Sequence, residues 1–389
     1  MVVDVTASLS PARRRITRTQ VTVECDTDSS GLHPFPPEPS HVRSTRSSVI
    51  LAAVGVLLIV AAAIVRFVVV PSATHLPKDL DVTLEFEGTY NGINPAVLSG
   101  GATEVMAEDV PIVATRNVSA GDVDGDSEIV ERTDERTVGA GEPAITEVRF
   151  NVNRETAEAG PAPAGAEDVT DAEGLVFTLP FGPSTADGTY EYWDQYTLQS
   201  APVTFEGEET FGGRAVYRYE SVSEGELADP AALNLPMSLP KETLAALAPG
   251  LDGLVSPELL AALPAVLPSL PAEIPIAWTS RTTTFVDADQ QLGATIAGGS
   301  TQEVTGSLDL GVTTVDVPFA TIAIYSTDDS IDDRGDEVAD QAQLLNLVGT
   351  ILPIVLLVLG ILLLAAALLL ARRAAARTAT PVESGAHSA

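Results

Sequence analysis

Carboxylates are the most numerous reactive side chains in this chain, and one short run places them at alternate positions. Asp122, Asp124, Asp126 and Glu128 lie on either side of Gly125. Calcium prefers oxygen ligands, and a glycine provides the sharp turn of many calcium loops. The run lacks the twelve-residue spacing of an EF-hand, however. Two interpretations therefore stay open, a calcium site and an acidic turn between two strands.

Other common catalytic and metal-binding signatures are missing from the sequence. The chain has four histidines and a single cysteine, Cys25, so paired-cysteine and histidine zinc sites lack their ligands. No H-E-x-x-H, G-x-S-x-G or phosphate-binding glycine loop occurs either. We predict no catalytic residues and no cofactor other than calcium, and we expect that the protein is not an enzyme.

The overall charge restricts the partners of the protein. The 389 residues include 21 Lys and Arg against 54 Asp and Glu, which gives a net charge of −33. Binding to nucleic acid depends on clustered cations that neutralise the phosphates. This balance therefore excludes nucleic acid as a partner and indicates a strongly solvated acidic surface.

Two long apolar segments divide the chain into five parts. Residues 48–70 and 344–371 are each long enough to cross a bilayer as a helix, which needs about 20 residues. Residues 1–47 and 372–389 are polar tails without a recognisable domain, and the first tail has the composition of a disordered segment. Between the two spans lies an acidic domain, residues 71–343.

Arginines beside the two spans predict the orientation in the membrane. Arg43 and Arg46 precede the first span, and Arg372, Arg373 and Arg377 follow the second. By the positive-inside rule, both tails face the cytoplasm. We therefore expect a plasma-membrane protein with two spans, two cytoplasmic termini and an extracytoplasmic central domain.

Alternation of apolar and polar residues dominates the central domain. Val82, Leu84 and Phe86 recur at period two, which is typical of a half-buried strand. Similar segments follow at short intervals and are separated by turns that contain Gly or Pro, as in a meandering antiparallel sheet. We expect a mainly β ectodomain with a barrel-like or curved antiparallel sheet, flanked by two transmembrane α-helices. The acidic run at residues 328–337 is interpreted as a solvated stalk before the second span.

One region interrupts the strand pattern. Residues 228–274 are rich in Leu, Ala and Pro and predict a short helical insert, with helix starts near Ser238 and Ser256. One interpretation is that these helices pack on one end of the sheet as ordinary core. The other is a helical cap around a mouth for a lipid. The candidate mouth residues are Leu244, Leu247, Leu259, Leu260 and Leu263.

The order of these features resembles a family of actinobacterial membrane proteins, the PorA-like porins. The resemblance covers about residues 48–372 and rests on short segments that occur in a set order. The segments are Ile64-Val-Arg66-Phe67, Leu76-Pro77, Glu87–Tyr90, Val113–Arg116, Glu131–Asp134, Phe177–Phe181, Tyr190–Asp194, Gly213–Tyr219 and a membrane helix with Pro353 and Gly360.

The family label implies a channel, although the residues give it little support. Two apolar helices without a polar face cannot line an aqueous pore as a monomer, and so acidic a domain lacks the lipid-facing band of a transmembrane barrel. In outline, the chain is also similar to the class B scavenger receptors. In those proteins two end spans hold a β-rich ectodomain whose helical insert admits lipid to a tunnel. That likeness implies a lipid-handling role for residues 228–274.

Three functions remain open at this point. The leading hypothesis is a cell-envelope protein whose ectodomain binds or passes a membrane lipid or a lipoglycan. The second is an oligomeric porin or channel component, and the third is an envelope scaffold or sensor without transport. The sequence does not define the oligomeric state.

Overall fold

A computed structural model describes residues 42–94, 97, 105–166, 168–248, 255–311 and 313–378. Two apolar helices at the two ends of the chain flank a central β-domain. The helices are α1 (Val42–Ile64), α2 (Val70–Ser72), α3 (Lys241–Leu247), α4 (Pro257–Val266), α5 (Asp328–Asn346) and α6 (Leu352–Thr378). The strands are β1 (Asp81–Ile93), β2 (Met106–Asp124), β3 (Ser127–Val138), β4 (Ala144–Asn153), β5 (Glu158–Gly160), β6 (Gly174–Leu175), β7 (Glu191–Asp194), β8 (Gln199–Phe211), β9 (Arg214–Glu226), β10 (Ser238–Pro240), β11 (Glu273–Asp289), β12 (Thr295–Asp309) and β13 (Thr314–Ser326).

Twelve of the strands close into a barrel. The sheet runs from β11 through β12, β13 and β1 to β9 in order, and β9 pairs back onto β11 with Thr279 opposite Glu226 and Asp289 opposite Val216. Neighbouring strands are antiparallel, except for one parallel contact between β6 and β7. Closure leaves no edge strand in the barrel, and the short β10 is added outside it. The predicted mainly β, barrel-like fold between two apolar helices is confirmed.

The period-two pattern of the sequence decides which side chains point into the barrel. On β11, Ile274, Ile276, Trp278, Ser280 and Thr282 are buried, whereas the residues between them are exposed. Because successive side chains of a strand point to opposite faces, one set faces the interior and the other faces the solvent. Each strand of the barrel therefore has one face toward the interior and one face toward the solvent.

One end of the barrel is closed by the insert. This capped end is an apolar core in which Leu239, Leu244, Leu247 and Leu263 pack among the ends of the strands. The strands contribute Tyr90, Ile93, Ile112, Ile276, Trp278, Val304, Leu308 and Phe319 to the same core. Trp278 also donates from Nε1 to the Pro236 carbonyl at 2.8 Å, which ties the start of the insert to β11.

The other end, called the helix end below, is where the two apolar helices join the barrel. The first helix comprises α1, a π-helical segment (Val65–Val69) and α2, and the second comprises α5, a π-helical segment (Leu347–Ile351) and α6. Both helices are long and apolar enough to cross a membrane, and only 17% and 11% of their most apolar windows are buried. This exposure suits a lipid environment and is unlike the core helix of a soluble protein.

The two apolar helices pack closely through glycine. A Cβ built on Gly55 would lie 2.9 Å from the Gly360 carbonyl oxygen, and one built on Gly360 would lie 2.8 Å from the Gly55 oxygen. Small residues allow helix backbones to approach in this way, and such contacts drive helix association in lipid. The glycine pair therefore fixes the two helices side by side.

The acidic run before the second span is a helix on the barrel and not a solvated stalk, so this interpretation was wrong. Residues 328–337 form the first part of α5, in which Ser330, Arg334 and Gly335 are buried. Thr327 caps the helix by accepting from the Ser330 N–H, and Arg334 donates from Nε to the Thr295 carbonyl at 3.2 Å. The acidic side chains face water, while the opposite face of the helix packs across the barrel end.

Candidate functional site

A cavity of about 750 Å³ occupies the helix-end half of the barrel. It reaches from Arg116 and Arg132 inside the barrel to Val70, near the end of the first apolar helix, and to Val348, in the π-helical segment of the second. This volume lies in the range of about 300–1,000 Å³ that is usual for small-molecule sites. The cavity is therefore the leading candidate for a binding site.

The linker between the first apolar helix and β1 forms one wall. Leu76 packs against two groups of buried side chains, one around Leu179 and Tyr219 and one around Phe150 and Val152. Its N–H donates to the Arg154 carbonyl at 2.8 Å. The Arg154 guanidinium donates to the Leu76 carbonyl and also pairs with Glu128, at 3.1 Å from Nε to Oε2. Glu128 is 1% exposed, and burial raises the pKa of its carboxyl even though Arg154 opposes the shift. A buried ion pair thus positions the cavity wall.

A second wall is the segment from Phe177 to Phe181, which sits against the β11–β12 turn. Thr178 donates from its hydroxyl to the Gly293 carbonyl at 3.0 Å, and the Gly182 N–H donates to the Gln291 carbonyl at 2.9 Å. Gly293 has a φ of +70°, and a Cβ there would lie 2.1 Å from the Pro180 oxygen. Only glycine combines this left-handed conformation with such a close approach.

The third wall is one face of the second apolar helix, which begins with α5. Arg334, Glu337, Gln341, Leu344, Leu345 and Val348 all line the cavity. Their spacing of three or four residues places them on one side of the helix. The lining changes along this stripe from charged inside the barrel to apolar where the helix enters its membrane-compatible part. This gradient connects the barrel interior to a lipid-like surface.

The inner end of the cavity holds a charged cluster on β2 and β3. Arg116 and Asp134 are register partners, and their side chains pair at 2.6 Å from Nε to Oδ1. Arg132 lies 3.2 Å from the other Asp134 oxygen and donates to the Gln195 side chain. Each guanidinium stacks on a ring, Arg116 at 5.6 Å from the centroid of Phe86 and Arg132 at 5.5 Å from that of Phe150.

Burial and mutual charge govern the titration of this cluster. Desolvation and the neighbouring Arg116 lower the pKa of Arg132. Burial alone would lower the pKa of Arg116 too, but the Asp134 carboxylate outweighs it and raises that pKa. Burial likewise opposes ionisation of Asp134, yet the two arginines lower the pKa of its carboxyl. Two cations therefore share one carboxylate in a mostly dry environment.

The predicted calcium residues lie at the β2–β3 hairpin. Asp122 and Asp124 are on β2, Asp126 is in the turn, and Glu128 is on β3, where it faces inward to Arg154. Among the described residues, no group of three or more His, Cys, Asp and Glu side chains is arranged to hold a metal ion. Calcium binding by this run stays a prediction, which a calcium titration would test.

The predicted lipid-mouth leucines lie at the capped end. Leu244, Leu247 and Leu263 are buried in its core, Leu260 is half-buried against it, and the side chain of Leu259 lies outside the described residues. A void of about 20 Å³ beside Leu244, Leu260 and Leu263 is far smaller than the helix-end cavity. A lipid mouth at these leucines stays a prediction, while the large cavity is at the opposite end of the barrel.

Sequence reasoning missed the residues that line the large cavity. Arg116, Arg132, Asp134, Trp193 and Asp194 fall in segments that supported the family resemblance, but nothing in their local pattern predicts that they converge. Arg132 at an inward strand position, two residues after the buried Val130, was the available signal. A charged residue on a core-facing position must be paired or bound, and this one is 6% exposed.

Comparison with known proteins places this architecture in a family. The family model described as Porin PorA matches residues 47–369, which include both apolar helices and the whole barrel. A search of curated proteins finds no match for the chain. This chain, a membrane protein with a closed β-barrel between two apolar helices, belongs to the PorA porin family.

Proposed function

We propose that this protein binds a membrane lipid in the helix-end cavity and takes it up from the bilayer surface beside the two spans. The single observation that carries the proposal is the position of the cavity, which runs from the barrel interior to Val70 and Val348 on the apolar helices. An acyl chain could thus move from the bilayer into an apolar interior. Exposing it to water on the way would cost about 0.8 kcal/mol per methylene group.

The outer surface of the barrel supports a position in water above the membrane. Within the described ranges, its exposed outward positions carry many carboxylates and no continuous apolar band. Examples are Glu85, Glu87, Glu131, Glu135, Glu147, Glu206, Glu224 and Glu303. A transmembrane barrel needs a lipid-facing apolar band about 25 Å tall. In this proposal the two helices supply the membrane anchor. Both termini are in the cytoplasm and the barrel is on the extracytoplasmic side, in keeping with the arginines beside the two spans.

The test uses the full-length protein purified in a mild detergent. Native mass spectrometry should detect one bound lipid per chain. Val348→Phe, which narrows the cavity where it meets the bilayer, should reduce that occupancy. Leu347→Phe is the matched control, because Leu347 is 51% exposed, does not line the cavity and lies in the same π-helical segment.

Two outcomes would contradict the proposal. The first is a protein that carries no lipid after extraction under conditions in which other membrane proteins keep their bound lipids. The second is equal occupancy in Val348→Phe and Leu347→Phe. A lipoglycan as the bound species is the natural extension in a cell envelope, and fragmentation of the released ligand would identify its head group.

The family name keeps an oligomeric channel as a second candidate. The capped end argues against a pore through one barrel, because the described residues fill it with a continuous apolar core. A channel would then have to form between subunits. Conductance steps in planar bilayers, observed with wild type and absent with a helix-packing variant such as Gly360→Val, would favour the channel over lipid binding.

A further inference from the structure

We propose that the Arg116–Arg132 pair is a head-group site, so that the cavity selects amphiphiles with an acidic head, a carboxylate or a phosphate. This inference rests on the proposed lipid-binding function and deepens it by naming the class of ligand. The acidic group would lie at the inner end of the cavity, and the acyl chain would extend toward Val70 and Val348.

Two guanidinium groups share one directly paired carboxylate at the inner end of the cavity. Asp134 is the carboxylate paired with both guanidinium groups, through the 2.6 Å contact from Arg116 and the 3.2 Å contact from Arg132. The other carboxylate on this part of the lining, Asp194, accepts hydrogen bonds from the Tyr196 N–H at 3.0 Å and the Thr197 hydroxyl at 2.8 Å. The Gln195 partner of Arg132 is neutral. The cluster of Arg116, Arg132 and Asp134 carries one net positive charge, and Asp194 brings the formal charge of this end of the cavity to zero. The site for an anion is therefore defined by the donors of the two arginines and not by net charge.

Arg132 also has unused hydrogen-bonding capacity. Arg132 is 6% exposed and lines the cavity, and its Nε–H has no hydrogen-bond partner. The Asp134 oxygen at 3.2 Å is close enough for an ion pair but is not aligned to accept from this N–H. A buried N–H without an acceptor costs about 1–3 kcal/mol. Neighbouring atoms cover this N–H, so an anionic oxygen in the cavity would satisfy it after a local shift of the Arg132 side chain.

The outer part of the cavity is unsuited to the acidic group. Arg334 there is already paired with Glu337 and donates to the Thr295 carbonyl. Asp79 and Asp81 are exposed at the linker wall and would repel an anion. The lining between these charges and Arg132 is largely apolar. The electrostatics therefore place the head group deep and the chain outside it, an orientation that also keeps the chain near the bilayer.

The experiment compares ligands that share one chain length. Tritiated palmitate is bound to the full-length protein in detergent and displaced by hexadecyl phosphate, by hexadecanol or by hexadecyltrimethylammonium. Hydrogen bonds to charged groups predict that the two acids bind about ten- to a hundredfold more tightly than the alcohol. The cation should displace palmitate least. Inorganic phosphate alone should not displace it at the same concentration.

Variants assign this preference to the arginine pair. Arg132→Gln should reduce the ratio of palmitate to hexadecanol affinity to about one. Arg149→Gln is the matched control, since Arg149 lies on the neighbouring β4 and pairs with Glu131 and Asp168 at the surface. If Arg132→Gln does not fold, as judged by circular dichroism, Asp134→Asn replaces it. That variant leaves both guanidinium groups without their shared carboxylate and should increase the preference for acids.

The outcomes separate this inference from the proposed function. Equal affinity for palmitate and hexadecanol in the wild type would overturn the head-group site while leaving lipid binding intact. Binding of neither would remove both. Displacement of palmitate by inorganic phosphate alone would assign the arginine pair to a free anion and not to a lipid. A preference for acids that survives in Arg132→Gln, or one that does not increase in Asp134→Asn, would place the recognition elsewhere in the cavity.

Discussion

The two ends of the barrel are built from the same twelve strands but differ in what fills them. At the capped end, leucines of the insert pack between strand side chains and leave a void of about 20 Å³, whereas the helix end encloses about 750 Å³. The inward residues of β2 show the change, because Ile112 belongs to the capped core and Arg116 lines the cavity. The apolar insert therefore stabilises the barrel, whereas the space available to a ligand lies at the end where the membrane helices join it.

The largest expected effect is on the free energy of unfolding, for substitutions of leucines at the capped end. Leu263→Ala and Leu244→Ala should each lower the free energy of unfolding by about 2–5 kcal/mol, since both remove buried methyl groups from a packed core. Leu344→Ala at the helix end should change it by less than about 0.5 kcal/mol, because that side chain is 63% exposed. Thermal unfolding of the barrel by circular dichroism measures both. Loss of bound lipid with unchanged melting in Leu263→Ala would contradict the division between the two ends.

The next effect concerns the packing of the helices that frame the cavity. Gly360→Val should destabilise the helix pair by about 1–3 kcal/mol, because the added side chain would meet the Gly55 oxygen and Ile59.

A disulfide between Val70→Cys and Gly349→Cys, introduced with Cys25→Ser, reports the pairing. Val70 and a Cβ at Gly349 are in contact, with 3.5 Å from that Cβ to a Val70 methyl. Cross-linking should fall in Gly360→Val and persist in Leu359→Val, whose site is 47% exposed. Undiminished cross-linking in Gly360→Val would show that the glycine contact does not hold the pair.

A smaller effect concerns the ion pairs of Asp134 at the inner end of the cavity. The pKa of Asp134 is lowered in the folded protein, mainly by Arg116 and Arg132 acting against burial. Its contribution to stability is therefore complete above the unfolded pKa of about 3.9 and is lost as the pH falls through the lowered folded value. Asp134→Asn should remove this part of the acid dependence. Melting temperatures at acidic and neutral pH should differ less in the variant than in the wild type, and an identical difference would contradict the pairing.

The sequence predicted the architecture because its signals are periodic and local. The spans follow from length and apolar content, and the barrel strands follow from alternation such as that of Val82, Leu84 and Phe86. Pro257 likewise begins α4 after Ser256, as its position in the sequence predicted. The predicted helix start near Ser238 was wrong, because Ser238–Pro240 pairs with β11 as strand β10 and α3 begins only at Lys241. Closure of the sheet could not be read in the same way, because the pairing of β9 with β11 crosses the whole insert.

The candidate site could not be predicted for a related reason. Leucine-rich composition indicates burial but does not say whether the buried side chains surround a ligand or one another. Residues 328–337 show a second limit: their charge suggested a stalk, yet Arg334 and Gly335 dock on the barrel, with a Gly335 Cβ only 2.3 Å from the Gly212 oxygen. Small and buried residues at helical spacing within an acidic run were the signal that was missed.

The smallest effect probes how dry the capped end is. Burial raises the pKa of Tyr90 to about 12, and its hydroxyl donates to the Ile93 carbonyl at 2.5 Å. Since an unfolded tyrosine ionises near pH 10, the folded protein keeps a proton that the unfolded chain loses, and stability should fall as the pH rises from about 10 to about 12. Ultraviolet difference absorbance should show a late-ionising phenol that Tyr90→Phe removes. A Tyr90 that titrated with the exposed tyrosines would mean that water reaches the capped core, and the contrast between a filled and a hollow end would then be lost.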